Sequence, residues 1–387
     1  MPEKEKMVEI SGIPVTKIKL FDGEFLIGPP GIGKTEIIKQ KTMEMAKKLE
    51  LEFVDLREAS DEKLLDIMKN GKKYCVFYRI PATHLLPEDI GLPHKDTNMK
   101  YAEIIPQKIL AVLSNPDLAC GVLFLDEITN VQREDVLTLL FALINEKELG
   151  WYLKLNKNIM IISAGNPLEW SSVANPLPLP LRMGRLVPVR VSPPTVEEWI
   201  EYMDRVYGNK WLRVVGAYLL RFKNDFIIAP SEDDDGLSAI PSPRSWTKLA
   251  TLLYQMLQST DEEEKPDKEF IEEIIIGHVG PEAGRKLATL ISTSIDIDAI
   301  AKKVLTDPSK YSTLTETEKI LVLNIASQDP KKYKELAKYL ATNHRDDLVI
   351  MVSLMKKEVR LEMLKDPDYK TIIMNTLKTY KSVISSS

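Results

Sequence analysis

Eight consecutive residues constrain this chain more than anything else in it: Gly28-Pro29-Pro30-Gly31-Ile32-Gly33-Lys34-Thr35. They satisfy the pattern G-x-x-x-x-G-K-S/T, which has a physical meaning only between a buried strand and a helix. Both flanks are present. The run Glu24–Ile27 before it has the composition of a strand, and 36–49 after it reads as a helix with Ile37, Ile38, Met45 and Leu49 near one face. In such a loop Gly28, Gly31 and Gly33 let the backbone wrap closely, so that successive amides aim at phosphate oxygens. Lys34 adds a point charge, Thr35 a hydroxyl ligand for Mg2+, and the helix N-terminus positive potential. The expectation is a site for Mg-ATP built from Gly28, Pro29, Pro30, Gly31, Ile32, Gly33, Lys34 and Thr35.

A loop of this kind needs a parallel sheet behind it, and the first half of the chain supplies one. Candidate strands fall at 51–56, 74–80, 121–125, 159–164 and 186–191. Several are continuously apolar, as strands covered on both faces are. The strand at 121–125 runs straight into Asp126 and Glu127. Beside the phosphate loop, Asp126 would hold the magnesium through water and Glu127 would polarise the attacking water. The strand at 159–164 ends in Gly165-Asn166-Pro167, which puts the amide of Asn166 where it could orient that water and sense the γ-phosphate. Arg182 and Arg185, flanking Met183-Gly184, and Arg244, at a helix start after Pro243, are candidate cations for the transferring phosphoryl group.

Beyond Pro193-Pro194 strand signals stop. Thr195 caps a helix with Glu197 and Glu198 in its first turn, and further helices are predicted at about 209–224, 242–258, 268–276 and 281–293. The glycine-rich stretch from Gly277 to Lys286 follows no strand and reads as a helix-to-helix turn. From about 295 the pattern stays helical, with a lysine-dense stretch (Lys331, Lys332, Lys334, Lys338) read as a solvated face. A chain of 387 residues exceeds what one core supports. The expected organisation is an α/β ATPase core over 1–193, a helical lid over 194–294 and an additional helical region over 295–387.

Composition weighs against several classes, with a nucleic-acid motor left as the alternative function. The net charge of −5 gives no global basic field for phosphate backbones, which counts against a nucleic-acid motor such as a translocase or helicase loader. The two cysteines, Cys75 and Cys120, make no disulfide framework, and the four histidines lack zinc-ligand spacing. Apolar runs fall short of a membrane span, and the charged start carries no secretory h-region, so a cytoplasmic protein is expected.

The order of phosphate loop, Asp126-Glu127, Asn166, Arg185 and Arg244 resembles the AAA+ ATPases of the MoxR-like group over about residues 10–290. That resemblance implies a P-loop NTPase (AAA+) parallel sheet of order 5-1-4-3-2 with helices on both faces, then the helical lid. It implies Asn166 as sensor 1, and Arg185 or Arg182 as the arginine finger acting on a neighbouring subunit's ATP. Arg244 becomes the sensor 2 arginine, acting on its own subunit's nucleotide. It further implies a homo-oligomeric, hexameric ring and a protein client, with a von Willebrand A domain protein among the candidates. The stretch Pro87–Pro93 with 94–105 resembles a pore-directed insert bearing Met99, Lys100 and Tyr101, and 146–155 resembles the hairpin before sensor 1. One departure is the stretch 60–73, which lengthens the approach to the second core strand or adds a strand. The region from 295 matches no motif.

Overall fold

The computed structural model describes residues 13–14, 18–86, 90–96, 101–150, 152–171, 173–231, 236–258, 267–292, 297–372 and 374. The chain divides into two compact units, Met1–Pro193 and Pro194–Ser387.

The first unit is a parallel-sheet core with flanking helices. Its sheet strands are β1 (Ile13–Pro14), β2 (Glu24–Ile27), β3 (Glu52–Asp55), β4 (Tyr74–Pro81), β7 (Cys120–Asp126), β10 (Ile159–Gly165) and β11 (Val187–Ser192), in the order β1-β11-β2-β10-β7-β4-β3. Every pairing is parallel. The central five, β11-β2-β10-β7-β4, reproduce the 5-1-4-3-2 order. β3 extends one edge and the two-residue β1, which the sequence pattern does not announce, extends the other. Two antiparallel hairpins stand outside the sheet, β5 (Gly91–Asp96) with β6 (Tyr101–Pro106) and β8 (Glu148–Leu149) with β9 (Leu153–Lys154). Both fall where hairpins were expected. Met99 and Lys100, and the side chain of Tyr101, lie outside what is described.

The helices of this unit are α1 (Lys34–Lys48), α2 (Asp61–Asn70), α3 (Lys108–Leu113), α4 (Glu134–Glu146) and the single turn α5 (Leu179–Arg182). The stretch 60–73 is itself no strand: it is α2 and a short 3-10 turn, the crossover joining β3 to β4. Ser60 caps it by accepting from the Lys63 amide, and Leu64 and Ile67 bury one face. The sheet interior is aliphatic and aromatic, with Leu26, Val76, Phe77, Val122, Phe124, Leu125, Ile161 and Ile162 all essentially inaccessible. Cys75 and Cys120 are free thiols on facing strand positions.

The second unit is helical: α6 (Val196–Tyr207), α7 (Arg213–Arg221), α8 (Pro243–Leu257), α9 (Lys268–Val279), α10 (Pro281–Ser292), α11 (Ile297–Thr306), α12 (Glu316–Gln328), α13 (Lys334–Asn343), α14 (Arg345–Leu354) and α15 (Lys357–Met363). Thr195 caps α6 reciprocally with Glu198, and Thr315 with Glu318 does the same for α12. Gly280, at φ 77°, makes the turn between α9 and α10, so the glycine-rich stretch there is structural. A single hydrophobic cluster runs from Val196 to Tyr369, with Trp199, Trp211, Trp246, Tyr218 and Tyr311 inside it. Lys331, Lys334 and Lys338 lie on the surface of this unit, each paired with a carboxylate. No described helix is long and apolar enough to cross a membrane.

Candidate active site

Parallel strands all present their carboxyl ends on one side, and in an open α/β sheet ligands bind there. Four adjacent strands, β2, β10, β7 and β4, carry polar side chains to that side of the first unit.

β2 delivers the phosphate loop. Gly28 admits no side chain: a Cβ there would lie 2.6 Å from Val191 Cγ2 and 2.8 Å from the Val191 carbonyl oxygen of β11. Its amide donates to the Gly165 carbonyl at 3.4 Å, which ties the loop to the end of β10. Gly33 enters α1 with φ 91°, a conformation that L side chains rarely adopt. Lys34, only 8% exposed, donates to the carbonyls of Gly28 at 2.7 Å and Pro29 at 2.8 Å and to Asn166 Oδ1 at 3.1 Å. The ammonium is thus held across the mouth of its own loop, with Asn166 of the neighbouring strand beside it.

β7 delivers the carboxylates. The Thr35 hydroxyl donates to Asp126 Oδ2 at 3.0 Å, which joins the first turn of α1 to the end of β7. Asp126 Oδ1 accepts from the Glu127 amide at 3.0 Å. Glu127 itself leaves the strand in the left-handed region, φ 56°, ψ 35°, and its side chain is exposed. For a residue with a Cβ this conformation costs on the order of 1–3 kcal/mol, and such strain gathers at functional sites. The two adjacent carboxylates take different surroundings: Asp126, at the strand end, is buried against Thr35, and Glu127, past it, is exposed.

β10 delivers Asn166. Its backbone amide donates to Thr129 Oγ1 at 3.1 Å, and Gly165 leaves room for that threonine, since a Cβ there would meet Thr129 Cγ2 at 2.6 Å. β4 delivers a residue that sequence reasoning missed, Arg79, whose Nε and Nη2 both lie 2.8 Å from Asp126 Oδ2. Arg79 is the one charge in the strand Tyr74–Pro81, and that isolation near the strand's carboxyl end was the available signal.

The donor set facing this point is all oxygen: one threonine hydroxyl and one carboxylate. Among the described residues no group of three or more His, Cys, Asp or Glu side chains could hold a metal alone. A sparse oxygen set fits magnesium, which keeps several waters and takes further ligands from substrate phosphates.

The arginines divide between the two units. Arg185 is half-buried and committed within its own unit, with Nε donating to Asn145 Oδ1 at 3.1 Å and Nη1 to the Pro180 carbonyl at 3.4 Å. Arg182, at the end of α5, is exposed and makes no hydrogen bond or ion pair with any described residue. Arg244 belongs to the second unit, exposed in the first turn of α8.

A glycine-rich strand-to-helix loop, a hydroxyl and carboxylate pair and a polar strand tip thus stand together at the carboxyl ends of one parallel sheet. Residues 25–191 match the ATPase family associated with various cellular activities (AAA), so the first unit carries an AAA ATPase family domain. No curated protein matches the chain. Among solved structures it is similar to a RuvB variant of Thermotoga maritima at 18% identity, covering 82% of this chain and 88% of that one, TM-score 0.37. It is also similar to NtrX from Brucella abortus in complex with ADP (15% identity, 79% and 65% covered, TM-score 0.34) and to Hsp104 (13% identity, 81% and 46% covered, TM-score 0.37).

Proposed function

We propose that this chain binds and hydrolyses ATP with magnesium and works as a MoxR-like, ring-forming AAA+ machine that remodels protein partners. The observation that carries the catalytic part is the convergence of Lys34, Thr35, Asp126 and Asn166 through direct hydrogen bonds. In this reading the loop from Gly28 to Gly33 wraps the phosphates, with Pro29, Pro30 and Ile32 shaping it, and Lys34 turns its ammonium from the loop carbonyls to the β- and γ-phosphates. The Thr35 hydroxyl and Asp126 would hold magnesium, which would supply charge neutralisation for the transferring phosphoryl group when bound. Glu127, open to the site, polarises the attacking water, and Asn166, fixed through Thr129, orients it. The region 1–193 acts as the ATPase core, 194–294 as a lid bringing Arg244 to the nucleotide, and 295–387 as an accessory helical region.

One surface supports a ring. Arg182 has no described partner and sits between two exposed apolar residues, Leu179 and Met183. A second copy of the chain would cover that patch and receive the guanidinium at its own nucleotide. Arg185, held by Asn145, then serves to brace the segment. The test is Mg-ATP turnover per subunit against protein concentration for wild type, Arg182→Ala and Arg185→Ala. We expect a specific rate that rises with concentration and falls by about 10³-fold or more in Arg182→Ala. Arg185→Ala should retain most of the rate. A rate that survives Arg182→Ala and collapses in Arg185→Ala would reverse the assignment, and a rate that survives both would remove a trans arginine from this segment.

A further inference from the structure

Arg79 bears on the metal side of the site in a way the motifs do not describe. Its strand β4 pairs with β7 so that Ile80 faces Leu125 and Pro81 faces Asp126. From there the guanidinium reaches Asp126 Oδ2 with two nitrogens, each at 2.8 Å, while the Thr35 hydroxyl donates to the same oxygen at 3.0 Å. Three donors on one oxygen exceed its lone-pair capacity, and Oδ1 is already engaged by the Glu127 amide. The carboxylate is only 10% exposed, so water contributes little to holding it, whereas Arg79 is 31% exposed and has solvent to move into.

We propose that Arg79 is a resident counter-cation that competes with magnesium for Asp126. It thereby sets the magnesium concentration at which the site accepts nucleotide. A dication drawing on the same carboxylate must displace the guanidinium or bear its repulsion. In the nucleotide-free protein Arg79 keeps the buried carboxylate paired. On loading, release of Arg79 toward solvent would free Asp126 Oδ2, so that Thr35 and Asp126 would be the side chains available to hold the metal. The proposal rests on the reading of Gly28 to Thr35 as a nucleotide site. Arg79 is a positioning residue in this scheme, since it acts on the metal through Asp126.

Competition and simple bracing differ in sign. If Arg79 only steadies Asp126, removing it should weaken metal binding; if it competes, removing it should strengthen it. The experiment uses the full chain and the fluorescence of a mant-labelled, slowly hydrolysed ATP analogue, titrated at a series of MgCl2 concentrations. The readout is the half-saturating magnesium for wild type, Arg79→Gln and Arg79→Lys. Arg79→Gln should lower it by about tenfold, the order expected for removing one partly screened unit charge beside a dication site. Arg79→Lys should lower it by about threefold, because an ammonium keeps the charge but loses the forked contact. The lysine variant also keeps the test available should the glutamine variant fail to fold. A half-saturating magnesium that is unchanged or raised in a folded variant overturns the proposal. If wild type binds no analogue at any magnesium concentration, the nucleotide-site reading fails. If wild type binds and the variants do not differ from it, only the role of Arg79 fails.

Discussion

Replacing Glu24 with glutamine should stabilise the first unit, and do so only as the pH rises. Glu24 opens β2 between β10 and β11, is 1% exposed, and leaves Oε2 without a hydrogen-bond partner. Burial pushes its carboxyl up to about 7 from 4.5, partly offset by a backbone hydrogen bond at Phe21. A carboxyl whose folded value is raised favours the folded state below the unfolded value and penalises it as pH climbs through the folded one. The wild type is therefore expected to lose stability between about pH 4.5 and 7, with a penalty of under about 1 kcal/mol at pH 5 and about 3 kcal/mol at pH 8. Glutamine keeps the shape and cannot ionise. Native-state hydrogen exchange of the β2 amides, corrected for intrinsic rates at each pH, reads the opening free energy of this strand. The difference between Glu24→Gln and wild type should grow by about 2 kcal/mol from pH 5 to pH 8. Comparing slopes removes any constant offset from burying an amide, and titrations elsewhere cancel between the two proteins. A difference that stays flat with pH would refute the argument, because it would mean Glu24 is no harder to ionise folded than unfolded.

Gly28→Ala should cost about 1–3 kcal/mol in urea denaturation, since the new methyl must displace Val191 or Ile32. It should also weaken nucleotide binding by shifting the carbonyl that holds Lys34; unchanged stability and affinity would show that the loop relaxes freely. Thr129→Val removes the acceptor for the Asn166 amide and should cost about 1–3 kcal/mol. Turnover should fall by about tenfold or more with nucleotide affinity nearly unchanged, measured by steady-state hydrolysis beside equilibrium binding; equal losses in both would place Asn166 in binding instead.

What the sequence disclosed of this site followed from contiguity. The run from Gly28 to Thr35, the pair Asp126-Glu127 and the tip at Asn166 are each local signatures, readable because strand, loop and helix alternate in register. The contacts that join them are not local. Arg79 meets Asp126 only because β4 pairs with β7, and Thr129 meets Asn166 only because Gly165 leaves the space. Of the two arginines beside Gly184, nothing in the string separates one from the other; Asn145, from α4, engages Arg185 and leaves Arg182 exposed. Helix α2 escaped because its apolar face is narrow, Leu64 and Ile67 among charged residues, and β1 because two residues carry no period. The helices beyond 295 were expected, but their sharing of one core with α6 to α10 depends on long-range packing that no periodicity encodes.

On the proposed reading, the loop at Gly28 to Thr35 binds ATP and Glu127 polarises the water that hydrolyses it. Binding of a labelled ATP and release of phosphate, measured side by side for wild type, Lys34→Ala and Glu127→Gln, tests this most directly. Wild type should bind and turn over, Lys34→Ala should do neither, and Glu127→Gln should bind as wild type does while releasing almost no phosphate. Wild-type affinity in Lys34→Ala, or full turnover in Glu127→Gln, would contradict it.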